Sequence, residues 1–146
     1  MIIFEVGDKI RIDGEETKVL GRIKYSGPLP EYSIKLINAD KCWLEQINEK
    51  WKLWKEVSVA ENPVVEAVGN SNLADLAKST YGNFHVSSQG VAIASETIGC
   101  TWGVEVGEKV ELWRGENMAN KEWPLFIVER NKNGITLWIG RYVTVK

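Results

Sequence analysis

Cysteine, histidine, methionine and proline are scarce in this chain of 146 residues, which has two, one, two and four of them. Cys42 and Cys100 form no Cys-x-x-Cys pair, and with the single His85 they fall short of a zinc tetrad. Two reduced, buried thiols are expected; a disulfide between them stays open, because spacing alone gives no distance. No apolar run approaches the roughly 20 residues that cross a bilayer as a helix. The opening Met1-Ile2-Ile3-Phe4-Glu5 carries no basic segment ahead of an apolar stretch, so no secretory leader is read and a cytoplasmic location is expected. A basic excess is missing too: 18 Lys+Arg stand against 20 Asp+Glu, a net charge of −2. Proteins that live on phosphate backbones normally carry such an excess, so nucleic acid is not the expected partner, although a local basic patch is left open.

What is present is an ordinary globular balance, 44% hydrophobic and 26% charged, in a length that one domain can use to bury a core. The fold class expected is mainly β. Two antiparallel, small barrel-like sheet-forming halves, residues 1–60 and 84–146, are joined by a connection, 61–83, that holds one short helix; together they make a single compact domain.

Period-two alternation carries that expectation. In Lys9-Ile10-Arg11-Ile12 the isoleucines share one side of a strand and the charges the other, and Asp13-Gly14 supplies a tight turn. The return over 17–25 sets Thr17, Val19, Ile23 and Tyr25 against Lys18, Arg22 and Lys24. After Gly27-Pro28-Leu29-Pro30, a second hairpin pairs 32–37 with 42–45. Strand 51–57 puts Trp54 on its otherwise polar side, so it is either covered on both faces or displays an aromatic. Ser71-Asn72 caps a helix in which Leu73, Leu76, Ala77 and Thr80 share a face and which Gly82 ends. Short strands over 84–87 and 91–94 follow, then 104–113 with an interruption at Gly107-Glu108. Segments 124–130 and 135–140 form a hairpin around Asn131-Lys132-Asn133-Gly134, and 141–146 is a final strand. Val6-Gly7-Asp8-Lys9-Ile10 is echoed by Val106-Gly107-Glu108-Lys109-Val110, which leaves a pseudo-repeat of the two halves open.

Several weak motifs in a fixed order resemble a bacterial family known as domain of unknown function 4178. They are Val6-Gly7-Asp8, Val19-Leu20-Gly21-Arg22-Ile23, Glu31-Tyr32-Ser33-Ile34-Lys35-Leu36 leading to Trp43-Leu44, then Trp102, Val106-Gly107-Glu108 and Gly140-Arg141-Tyr142-Val143. The likeness runs from Val6 to Val143. Where relatives often carry Gly-Glu before the tryptophan, this chain reads Gly99-Cys100-Thr101-Trp102, so any role of that acid is absent or relocated. The resemblance implies a mostly β domain with no assigned activity. It also implies a gene setting often near membrane-stress and polyamine-synthase-like proteins, and it supplies no catalytic residues.

The residues themselves offer little chemistry. A triad needs a nucleophile, a base and an orienting acid, and the one histidine lies between Phe84 and Val86, where a half-buried structural role is the simpler reading. No phosphate-cradling glycine motif is present. Cys100 has no neighbouring cation in sequence to make it a thiolate. No enzyme, cofactor or metal is expected. The seven tryptophans are the unusual feature. Trp43 and Trp138 are expected to face the core or to cover a sheet end. The candidate binding residues are Trp51, Trp54, Trp102, Trp113 and Trp123, since tryptophan suits interfaces as well as cores. In Lys50-Trp51-Lys52-Leu53-Trp54-Lys55 an amphipathic strand with solvated lysines is preferred to base stacking or a membrane surface.

The function expected is a non-catalytic β module that binds another protein, in a bacterial stress-response or operon-encoded complex. One alternative is an immunity protein neutralising a toxin. Another is a small-molecule binder with an aromatic-lined pocket, for instance one caging a small cationic polyamine with Glu105, Glu108 and Glu111.

Overall fold

The computed structural model describes residues 4–26, 33–39, 41–47, 50–57, 85–116 and 120–146. Among them are ten strands and no helix: β1 Lys9–Ile12, β2 Glu15–Lys18, β3 Gly21–Ser26, β4 Ser33–Ala39, β5 Cys42–Ile47, β6 Lys50–Val57, β7 His85–Gly99, β8 Lys109–Glu116, β9 Leu125–Asn131 and β10 Gly134–Val143. The helix expected over 71–82 lies outside the described residues. No helix among those described is long and apolar enough to cross a membrane.

The expected fold of two sheet-forming halves is corrected. β1 and β2 form a two-stranded sheet, while the other eight hydrogen-bond in the order β10-β6-β5-β4-β3-β7-β8-β9 as one closed barrel. The physical reason is that alternation marks a segment as a strand but does not name its partner. β3 pairs with β7, with Gly21 opposite Gly99, and β6 is hydrogen-bonded next to β10, so strands of the supposed halves share one sheet.

Several boundaries move for local reasons. The single return strand read over 17–25 is broken at Val19 and Leu20, whose backbones bond to the 5–8 turn and to β4. β7 continues through Ser88-Gln89-Gly90 without a break, so the two short strands expected there are one strand of 15 residues. The strand read from 104 begins at Lys109, and 135–140 with 141–146 merge into β10 up to Val143. At the β9–β10 connection the loop is Lys132-Asn133, with Asn131 Oδ1 accepting from the Asn133 N–H at 2.8 Å.

The chain divides into two compact units. The first comprises Met1–Trp54, Ala92–Lys109 and Tyr142–Lys146. Here Ile10, Ile12 and Val19 bury against Ile34, Leu36 and Leu44, so the β1–β2 hairpin covers one face of β4 and β5. Trp51 and Leu53 pack on the same cluster. Residues 144–146 add to β1: Arg11 and Lys146 exchange backbone bonds at 3.1 and 3.0 Å, with Ile12 bridged to Val145. The second unit comprises Lys55–Val91 and Val110–Arg141. Its core is Val57, Trp113, Phe126, Val128, Leu137 and Ile139, with Trp123 and Ile135 against it.

The sequence echo has a matching geometry. In each copy an i-to-i+3 backbone bond closes a turn, Asp8 N–H to Glu5 C=O at 3.0 Å and Glu108 N–H to Glu105 C=O at 3.1 Å. Gly7 and Gly107 take φ of +99° and +92°, the third-position conformation of a type II turn that favours glycine. Each turn is then clamped at two points to one buried residue. Gly7 donates to Val19 C=O and Val19 donates to Asp8 C=O; Gly107 donates to Ala94 C=O and Ala94 donates to Glu108 C=O. All four lie at 2.8 or 2.9 Å.

Candidate functional site

In the first unit the notable side chains surround Lys35. The register of β4 and β5 sets Lys35 opposite Glu45 and Ile37 opposite Trp43, so these four share a face. Lys35 and Glu45 are 3% and 0% exposed. The Lys35 ammonium lies 4.5 Å from the Trp43 ring centre and 5.0 Å from that of Trp102, distances at which the ring quadrupole attracts a cation. Trp43 in turn stacks on Trp54, with centroids 5.8 Å apart and planes 23° apart. Trp54 is buried, and its indole N–H has no hydrogen-bond partner among the described residues. Trp102 sits at φ +51° in a turn closed by the Val104 N–H to Thr101 C=O bond, a conformation that is uncommon for a bulky residue. Trp51, the remaining candidate in this unit, is half-buried and meets Phe4 at 5.5 Å.

In the second unit Trp113 is buried and Trp123 half-buried. Trp123 carries Lys55 at 4.6 Å and Arg141 at 5.2 Å from its ring centre. Its backbone N–H donates to Asn120 Oδ1 at 2.9 Å, which fixes the approach to β9. Arg130 lies 5.4 Å from the Trp113 ring and bonds both Glu111 carboxylate oxygens, at 2.9 and 2.8 Å. Glu111 and Arg130 stand opposite each other in the β8–β9 ladder.

Of the five candidate tryptophans, Trp54 and Trp102 are drawn into one contact chain through Trp43 and Lys35, while Trp51 belongs to the neighbouring cluster. Trp43 and Trp138 are buried, as expected. β6 is covered on both faces, with Trp51 and Leu53 on one cluster and Trp54 on Trp43. Of its lysines Lys50 is exposed, while two are not simply solvated: Lys52 lies over Tyr142 at 5.5 Å and Lys55 over Trp123.

Reactive groups do not gather among the described residues. No disulfide joins Cys42 and Cys100; the first is half-buried and the second exposed, so neither takes the buried position expected of it. The side chain of His85 lies outside the described set. No cluster of three His, Cys, Asp or Glu side chains is placed to hold a metal among those described.

An exposed apolar group lies at the clamp of the first turn. Val6, Leu20 and Ile98 are 38%, 42% and 43% exposed. The Val6 methyls come within 3.2 Å of where a side chain on Gly99 would begin, and Leu20 C=O accepts from the Cys100 N–H at 2.9 Å. Beside them Arg22 bonds Glu96 at 2.6 Å, and that bond holds the Glu96 carboxyl below its ordinary range. Sequence reasoning missed Lys35, Glu45 and this apolar group. Lys35 occupies the polar phase of an alternating strand, which reads as a wet face unless the other side is known to be covered.

The family described as Domain of unknown function (DUF4178) matches residues 5–145. No curated protein and no solved structure is significantly similar to the chain. With the match spanning nearly its whole length, this chain belongs to that family of domains of unknown function.

Proposed function

We propose that this chain is a non-catalytic β module that binds another protein through the exposed apolar group Val6, Leu20 and Ile98. The observation that supports it is that three residues, all more than a third exposed, meet at the Gly99–Cys100 backbone: Val6 through its methyls, Leu20 through its carbonyl, and Ile98 as the residue before Gly99. Scattered single hydrophobes are normal on a surface, whereas neighbouring ones rimmed by charges such as Arg22 and Glu96 mark contact sites. The aromatic faces are poorer candidates for caging a polyamine, because Trp43, Trp102, Trp113 and Trp123 already carry cations of the chain itself. Glu111, one of the acids of that alternative, is bonded to Arg130.

Cys100 is an exposed thiol beside the apolar group and gives a direct test. With Cys42 replaced by alanine, a thiol-linked photo-crosslinker on Cys100 is irradiated in extract from the producing cells. The expected result is a discrete heterologous adduct that Leu20→Asp and Ile98→Asp each abolish while the fold is retained. No adduct, an adduct indifferent to both substitutions, or only self-adducts would overturn the proposal.

A further inference from the structure

A second place on the first unit has the makings of a ligand site, on the outer face of the β1–β2 hairpin. A cleft of about 360 Å³ is lined by Arg11, Asp13, Gly14, Thr144 and Lys146. That volume falls within the range of small-molecule sites, roughly 300–1,000 Å³. Two of the lining residues, Arg11 and Lys146, face each other across a pair of backbone hydrogen bonds. Residues opposed in this way project to the same side of the sheet, so two cations are held side by side.

The chain does little to neutralise them. Neither Arg11 nor Lys146 has a side-chain ion pair or hydrogen bond among the described residues. Glu16 is opposite Arg11 in the β1–β2 ladder but forms no ion pair with it. Asp13, the acid within the cleft, turns Oδ1 to the backbone N–H of Thr144 at 2.9 Å. One step along the same exposed face, Lys9 and Lys18 also stand directly opposite each other. The face therefore carries four cations, Lys9, Arg11, Lys18 and Lys146, with Glu16 among them, on a chain whose overall charge is −2. Like charges directly opposed in a ladder are destabilising on their own, and a bound anion turns the same arrangement into an attraction.

We infer that the Arg11–Lys146 cleft binds a small phosphate-bearing ligand, with the guanidinium and the ammonium gripping one oxyanion from either side and the Thr144 hydroxyl within the same lining. The cleft is separate in sequence and chemistry from the apolar group proposed to meet a partner, and the site stands without that proposal.

The test uses the whole chain in chloride buffer at low ionic strength, titrated calorimetrically with inorganic pyrophosphate. Saturable binding is expected, weakened about tenfold or more by Arg11→Gln and by Lys146→Gln. Lys121→Gln, an exposed lysine of the other unit, leaves it unchanged. Without pyrophosphate, Arg11→Gln unfolds at a temperature no lower than the wild type, since the opposed charges are gone, and added pyrophosphate raises the wild-type value more than the variant's. Vesicles of phosphatidylglycerol, compared with phosphatidylcholine, separate the sources. Association that depends on Arg11 and Lys146 assigns a lipid headgroup, and binding of pyrophosphate without association assigns a soluble phosphate. No binding at millimolar pyrophosphate, or binding indifferent to both substitutions, would overturn the inference.

Discussion

Gly21 is where the packing leaves no room for a side chain, and its replacement by alanine is the sharpest test of the β3–β7 seam. A Cβ built on Gly21 overlaps the Cys100 carbonyl oxygen and lies 2.5 Å from the carbonyl carbon and 2.9 Å from the nitrogen. All three are backbone atoms, so no rotamer change relieves the clash. The Cys100 N–H bond to Leu20 C=O, at 2.9 Å, would have to give way. Overpacking costs about 1–3 kcal/mol and the strained bond about 1 kcal/mol more, so Gly21→Ala is expected to lose about 3 kcal/mol. Against a typical total of about 5–15 kcal/mol that is a large fraction. Urea unfolding followed by tryptophan fluorescence measures it, with a midpoint about 1–2 M lower. Gly7→Ala and Gly107→Ala form the comparison. Open space surrounds both, and both carry φ near +95°, so each is expected to lose only the conformational cost of about 1–2 kcal/mol, and by equal amounts. A loss below about 1 kcal/mol for Gly21→Ala, or a clear gap between the two turn variants, would refute the reasoning.

Two further perturbations follow from the charges. The Arg22 hydrogen bond, with smaller help from the Lys24 and Arg22 charges, lowers the Glu96 pKa against an opposing burial effect. A carboxyl with a lowered folded pKa adds stability that is full above its ordinary value of 4.5 and fades as pH falls through the lower folded value. Denaturation midpoints of wild type and Glu96→Gln should therefore differ at neutral pH and converge in acid; a constant gap would contradict this. Lys35→Met leaves Glu45 buried without its opposite charge and should cost about 3–5 kcal/mol, whereas Lys35→Met with Glu45→Leu should recover part of that loss. Additive losses in a double-mutant cycle would show that the two do not interact.

Strands were legible in the sequence because one face of most of them is apolar and the other polar. Lys9-Ile10-Arg11-Ile12 shows this directly, with Ile10 and Ile12 buried and Lys9 and Arg11 exposed. Asp13-Gly14 likewise announced its turn, and both residues take positive φ. Partners were not legible. Nothing local in Gly21 says that it lies against Gly99, or that β6 neighbours β10. The same gap hid the candidate sites. Lys35 alternates like a surface lysine, and its burial depends on Trp43 and Trp102, which come from elsewhere in the chain. Arg11 and Lys146 are far apart in sequence and become neighbours only when 144–146 joins β1.

The paired turn clamps also bear on the order in which the chain assembles. Gly7 reaches Val19 across 12 residues and Gly107 reaches Ala94 across 13, whereas Gly21 and Gly99 meet across 78. Closing the longer loop costs about 1.7 kcal/mol more in chain entropy, by the logarithmic dependence on length. The two clamps are thus cheap early fasteners, available to stiffen either end of the seam before its strands have found each other. Weakening either one should slow refolding by close to the whole of its effect on equilibrium stability and leave the unfolding rate nearly unchanged.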